Sequence, residues 1–430
     1  MTINPHTILS NCDCRDAKIR SATDFFIDKT RYIEVLEDHE PNYLVFHRPH
    51  GFGKTLFTTT LSAYYDCNEA ENFEKNFSGT YISTHKTPLA NQFCLLKFNF
   101  AELGVEGTAE DFYDAVLRGI SDFYRHYSVA RVSDVLGKQF SSAAALIENF
   151  FASLRTSYRQ KLFIIIDEYD AGIRSRLLNP QTGRRHRSSD DQYLVDFFNK
   201  IRNATGDSGA VTKVFMTGTT HIGTDCPLFF NLTDSPKFAG LYGFTDEELR
   251  QAVPRLLNLP QLGITADDVV KQLQDWYGGY RFSPYSAEAV LNPAACLSYL
   301  ASLREHGKFP AALLNFSGSQ SLEELSRLLN LGAPAFVRSV VTEVLQQRSI
   351  PFPAGTLPML NAYPTGQRRE DDILGALTFL GYLTYASDDR YSLAVPNRPV
   401  AGLFAAYDRN HIKANTPEKI RHFSKKAPEP

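Results

Sequence analysis

Residues 43–60, YLVFHRPHGFGKTLFTTT, pass from a short apolar run through a turn-forming segment into a helical pattern. Tyr43 to Phe46 reads as a buried strand, Arg48-Pro49-His50-Gly51-Phe52-Gly53 as a turn, and Lys54-Thr55 as the opening of a helix running to about Tyr65. A strand, a loop and a helix in this order suit a phosphate. Gly53 lets the backbone approach an anion, and the amides that open the helix point toward it with the helix dipole behind them. Lys54 adds a mobile positive charge for the β- and γ-phosphates, and Thr55 would hold magnesium. In the general pattern G-x-x-x-x-G-K-T the first glycine is missing here, because Arg48 stands in its place. An ordinary strand-to-helix turn with a surface lysine is the competing reading.

The next strong signal is Leu162 to Ile166, an unbroken apolar run ending in Asp167-Glu168. Such a run implies a central parallel strand covered on both faces. A carboxylate pair at its carboxyl end lies where open α/β sheets place ligands, on the edge that carries the loop. Asp167 can then reach the magnesium shell, and Glu168 can orient or deprotonate an attacking water. The fold expected is α/β: a P-loop core with a parallel sheet, whose other strands are Phe93 to Asn99 and Val211 to Thr217. Helices are expected at 111–127, 143–158 and 193–202.

From about Gly243 the pattern becomes helical. Thr245 and Glu248 form a capping box for a helix to about Leu257; further helices are expected at 266–277, 293–306, 321–347 and 371–380. Tyr382 to Tyr385 and Tyr391 to Val395, separated by turn residues, read as a β-hairpin. The expected division is a core at 1–242, a helical lid at 243–350, a winged-helix-like module at 351–409 and a polar tail at 410–430.

Length and composition set outer limits. A chain of 430 residues with 43% hydrophobic and 22% charged residues suits a globular protein of two or three domains. A net charge of -3 gives no global attraction to nucleic acid or anionic membrane, so such binding would need a local patch. Arg184, Arg185 and Arg187 form one in a polar stretch. A solvated loop, a phosphate or nucleic-acid contact, and an arginine offered to a neighbouring subunit all fit it. The six cysteines lack paired zinc spacings, and reduced thiols are expected. No apolar leader or membrane-spanning run is present, which suggests a cytoplasmic chain without a membrane partner.

Several of these segments together resemble a known family. F-x-D-K-T at Phe26 to Thr30, R-P-x-x-F-G-K-T ending at Thr55 and D-E-Y-D at Asp167 to Asp170 are similar to the AAA-ATPase-like family of STAND-type P-loop proteins. The likeness continues through Thr217-Gly218, Tyr242 to Glu248, Trp276 to Phe282 and Asn292-Pro293. An Arg-Pro opening is usual there, so Arg48 fits the family better than the general pattern. The resemblance implies ATP with Mg2+, held by Arg48, Gly51, Gly53, Lys54 and Thr55. Thr217 takes the place of a γ-phosphate sensor, or merely caps a helix. Arg281 stands as a second sensor, or as a structural arginine. The Phe26 to Thr30 segment would pack beside the nucleotide, or simply cap the sheet. Slow ATP hydrolysis that switches conformation is the first expectation, with Glu168, Lys54 and Thr217 as catalytic residues. A nucleotide-gated scaffold for a protein partner or a second copy, and a nucleic-acid-binding subunit recruiting a separate nuclease, are the others. Many members carry a PD-D/E-xK nuclease domain, but fewer than about forty residues follow Pro396, too few for a domain. Nuclease activity is therefore not expected here.

Overall fold

The computed structural model describes residues 26–39, 42–103, 108–128, 133–157, 161–172, 174, 192–205, 209–221, 229–310, 321–352, 357, 370–387 and 389–413. Within them the apolar run becomes strand β3 (Lys161–Asp167), one of five parallel strands with β1 (Tyr43–His47), β2 (Phe93–Asn99), β4 (Val211–Gly218) and β5 (Phe230–Asn231). Their order is β2-β3-β4-β1-β5, so β4 separates the strand that feeds the loop from the strand that ends in acid. The alternation along β3 shows why an unbroken apolar run was needed. Leu162, Ile164 and Ile166 enter one hydrophobic cluster, while Phe163 and Ile165 enter the cluster on the other face.

Helices cover both faces. The first cluster is closed by Ala109–Tyr127, Ala143–Ser157 and Gln192–Asn203. The second is closed by Arg31–Glu37 and by Lys54–Tyr65, the helix that follows the loop. Thr108 and Asp111 form a capping box at the start of the 109–127 helix, satisfying amides that the helix itself cannot.

Beyond the sheet, Asp246–Leu256, Ala266–Tyr277 and Pro293–His306 share a third cluster centred on Leu249, Val269, Leu273 and Cys296. The expected box of Thr245 and Glu248 is present, and Glu248 also binds Lys29 Nζ at 2.6 Å. The last cluster joins Leu322–Leu329, Pro334–Leu345, Glu370–Phe379 and Arg398–Tyr407 to a small antiparallel sheet of β6 (Ile350–Pro351), β8 (Ser392–Ala394) and β7 (Thr384–Tyr385). Two expectations change here. The continuous helix at 321–347 is broken at Gly332-Ala333-Pro334, since proline suits the first turn of a helix and not its interior. A boundary at 350 would also cut one core in two, because Leu325, Val337 and Val341 pack with Leu377 and Phe404.

The C-terminal unit docks on the segment Gly278 to Phe282. The Arg281 amide donates to Thr384 Oγ1 at 2.6 Å, and the Thr384 hydroxyl donates back to the Arg281 carbonyl at 2.8 Å. Asn397, which caps the 398–407 helix, donates from Nδ2 to the Gly278 carbonyl at 3.1 Å. Gly279 sits at φ 84°, and a Cβ there would meet the Pro396 carbonyl at 2.1 Å, so only glycine fits between the two units. No helix among the described residues is long and apolar enough to cross a membrane.

Candidate nucleotide site

The loop is held from outside by the helical segments around it. The Gly51 carbonyl accepts from the Ala294 amide at 3.2 Å, and the Phe52 carbonyl accepts from the Gly243 amide at 3.3 Å. Phe52 itself packs edge-on against Tyr280 and Phe282, each with ring centroids 5.0 Å away. The motifs around Tyr242, Trp276 and Asn292 thus brace the loop from behind. Gly51 and Gly53 take φ values of 81° and 95°, and Gly53 leads directly into the helix without a side-chain cap. The amides of the first helical turn therefore remain available to an anion, with the dipole of Lys54–Tyr65 behind them.

Lys54 is engaged by partners within the site. Its Nζ donates to the Arg48 carbonyl at 3.0 Å and lies 3.1 Å from Glu168 Oε1, in a side chain only 4% exposed. A buried ammonium needs such partners, and here the loop's own carbonyls and one acid supply them. The Glu168 Oε2 accepts from Arg174 Nη1 at 2.9 Å. Burial by itself would raise the Glu168 pKa, but Lys54 and then Arg174 outweigh it and hold the group well below the usual carboxylate range. Glu168 also occupies the left-handed region at φ 51°, a conformation that costs a non-glycine residue about 1–3 kcal/mol and survives where its surroundings enforce it. A carboxylate so strongly stabilised as an anion is a weak base, so its fitness is for orienting a water more than for deprotonating one.

Asp167 stands in the opposite electrostatic condition. Burial pushes its pKa up to about 6, with the Thr55 side chain acting against the shift. Its Oδ1 accepts the Glu168 amide at 3.1 Å, whereas Oδ2 is buried without a well-formed hydrogen bond. An orphaned carboxylate oxygen near a threonine hydroxyl is a fitting donor set for a hard cation such as Mg2+, which uses few protein oxygens and completes its shell with phosphate and water. Among the described residues no cluster of three His, Cys, Asp or Glu could hold a metal alone.

Two expected contacts point elsewhere. The Arg48 guanidinium is buried in the interior, donating to the carbonyls of His47 and Thr233 at 2.8 and 2.9 Å and lying over the Phe282 ring at 4.4 Å. Only its backbone carbonyl, on Lys54, serves the loop. Arg281 lies between Tyr280 and Phe282, whose rings pack against Phe52, and its backbone is tied to Thr384. No hydrogen bond joins the Arg281 guanidinium to the loop among the described residues.

Thr217 is fully buried beside the Tyr242 side chain, and its hydroxyl is also without a well-formed bond. Thr219, two residues on, is the threonine that reaches Lys54 Nζ, at 3.4 Å, and His50 Nε2, also at 3.4 Å. His50 is kept neutral, its pKa pushed to about 4 by burial and then by Lys54. The clamp that sets Thr219 is Asp170, which is wholly buried. Its carboxylate accepts the Thr219 amide at 3.0 Å, the Thr220 amide at 2.8 Å and the Thr220 hydroxyl at 2.6 Å. The last Asp of D-E-Y-D and the T-G-T-T that ends β4 are therefore one unit, a pairing that spacing along the chain could not disclose. Asp28 and Lys29 likewise act as staples, to the Tyr81 amide and to the Gly240 carbonyl, with no bond to the loop. The arginines at 184, 185 and 187 lie outside the described residues, as do 1–25 and 414–430.

Residues 16–226 match the family described as AAA-ATPase-like, predicted AAA-ATPase. The likeness covers just under half of the chain. The core is a five-stranded parallel sheet in which a strand, a glycine-bearing loop and a helix follow one another, and the likeness to a predicted ATPase family is consistent with a nucleotide at the loop. A curated relative, an uncharacterized protein in the vnfD 5'region of Azotobacter chroococcum mcd 1, is 25% identical over 410 residues, covering 89% of this chain. The chain spans 66% of that relative's length. A solved chain from the structure of Drosophila ORC bound to DNA aligns with 13% identity and a TM-score of 0.34, covering 88% of this chain and 85% of that one.

Proposed function

We propose that this chain binds ATP with Mg2+ at the 48–55 loop and hydrolyses it slowly, using occupancy of the site to change the contact between the core and its C-terminal units. The observation that carries the reading is the convergence of the open first-turn amides, Lys54, Thr55 and the orphaned Asp167 Oδ2 on one edge of the sheet. In this reading Lys54 exchanges Glu168 for phosphate oxygens, while Asp167 and Thr55 hold the cation, which neutralises charge on the phosphates when bound. Glu168, once freed, orients a water, and Thr219 supplies a hydroxyl beside Lys54. The helices at 246–306 form a lid and the 321–413 unit a winged-helix-like module. Phe52, in contact with Tyr280 and Phe282, links loop movement to the Arg281–Thr384 bonds.

A scaffold that binds nucleotide without turnover is the second reading, favoured by the locked, weakly basic Glu168. Phosphate release from purified protein, with and without Mg2+, separates the two, and tight ATP binding with no release would establish the scaffold. Lys54→Ala tests both at once. Its nucleotide affinity should fall at least about 100-fold, and unchanged affinity in calorimetry would remove the site altogether.

A further inference from the structure

A pair of thiols lies behind the loop helix, at a corner that plays no part in the proposed nucleotide chemistry. Cys67 Sγ and Cys94 Sγ are 3.7 Å apart. Cys67 follows the loop helix and begins the short helix Cys67–Asn72; Cys94 belongs to β2. A parallel bridge between Asp66 and Phe93 sets the register one residue earlier, which brings Cys67, at the start of its short helix, beside Cys94 of β2. The corner is braced as well: the Asn91 amide donates to the Tyr64 carbonyl at 2.9 Å, and Asn91 Nδ2 donates to the Asp66 carbonyl at 3.0 Å. Bonding the sulfurs requires them to close from 3.7 Å to a bond length of about 2.05 Å.

We propose that Cys67 and Cys94 are a modification site, forming a reversible intrachain disulfide when the protein meets a peroxide. Exposure assigns the two roles. Cys67 is partly exposed and can meet the oxidant, whereas Cys94 is 1% exposed and can meet only Cys67. The Cys67 thiolate attacks a peroxide oxygen, the O–O bond breaks, and a sulfenic acid forms as one water leaves. Cys94 sulfur then attacks the sulfenic sulfur and expels a second water. Two thiols thus give two electrons and two protons to one hydrogen peroxide. Cys296, wholly buried in the third cluster with no partner sulfur nearby among the described residues, is an internal control. The bridge would tie the end of the loop helix to β2 and restrict the unfolded chain, so the oxidised protein should melt higher.

The test treats folded protein with hydrogen peroxide at pH 8.5, because burial holds the Cys67 thiol up and the thiolate is the reacting form. Thiols are then counted after denaturation and peptides mapped without reduction. The expected result is a 67–94 linked peptide, a fall from the six cysteines of the chain by two, to four, and full recovery with dithiothreitol. The oxidised form should unfold at a higher temperature than the reduced one. Cys67→Ser should abolish both the peptide and the thermal gain, and Cys94→Ala should leave Cys67 as a single sulfenic acid. Sulfinic acid at Cys67 without a link, a link placed elsewhere, or a linked form that melts no higher would overturn the proposal.

Discussion

Replacing Glu168 by glutamine should separate the energetics of the empty site from those of the filled one. The carboxylate lies 3.1 Å from Lys54 Nζ and 2.9 Å from Arg174 Nη1, and each pairing is worth about 5 kcal/mol of Coulomb attraction at an effective dielectric of about 20. Desolvation of all three groups offsets most of this, and loss of one member of a buried ion cluster costs about 3–5 kcal/mol. Glutamine keeps an oxygen that can accept one of the bonds, so the expected loss of stability without ligand is near the lower end, about 2–3 kcal/mol. Nucleotide reverses the effect. Triphosphate brings the negative charge that Lys54 and Arg174 then lack, and it no longer has to displace a carboxylate from Lys54. Glu168→Gln should therefore melt lower than wild type alone, bind ATP about tenfold more tightly, a gain of about 1.4 kcal/mol, and release no phosphate. Thermal melts with and without ATP, calorimetry and a phosphate assay read the three effects. A variant that is as stable as wild type when empty and binds ATP no better would refute the account of the lock; one that turns over at the wild-type rate would refute the role given to Glu168.

Asp167, whose pKa is raised to about 6, is protonated more readily in the folded chain than in the unfolded one, so its ionised form costs stability above that pH and the cost disappears as the pH falls toward its ordinary value. Mg2+ needs the ionised form, and Mg2+-dependent ATP affinity should fall about tenfold per unit below pH 6, as titrations at pH 7.5, 6 and 5 would show. Asp167→Asn should stabilise the ligand-free protein at pH 7.5 by about 1–3 kcal/mol while abolishing the Mg2+ dependence; a lower melting temperature would mean that Oδ2 is satisfied in solution. Thr219→Val should weaken ATP binding several-fold, whereas Thr217→Val, which removes a hydroxyl lacking a well-formed bond, should leave both affinity and stability nearly unchanged. The reverse ranking would restore Thr217 to the site.

What could be read from the chain and what could not divide along a physical line. The loop, its helix and the acidic end of β3 were legible because each is a local pattern: glycines before Lys54, and an apolar run whose two faces are both buried. The strand at 93–99, the capping box at Thr245 and the helices at 266–277 and 293–306 appear where periodicity places them. Side-chain direction was not legible. Arg48 and Arg281 belong to motifs around the loop, yet the Arg48 guanidinium is buried against Thr233 and Phe282 and the Arg281 backbone is tied to Thr384, facts that depend on chain neighbours distant in sequence. Thr217 lies in β4 and Thr219 just beyond its end, and the hold of Asp170 on the 219–220 amides goes with Thr219 being the one that meets Lys54.

The same distinction explains why a complete set of loop residues does not by itself predict affinity. Without ligand the basic groups already have partners: Lys54 has Glu168 and two loop carbonyls, and Arg174 has Glu168 and Asp170. Binding is thus an exchange of partners. A ligand gains only the difference between its phosphate oxygens and the carboxylate it displaces, together with the amides of the first helical turn, which have no acceptor of their own. Those amides and Asp167 Oδ2 are the groups whose pairing improves outright when the site fills. Affinity should accordingly depend on the loop backbone and the cation as well as on the charge of Lys54.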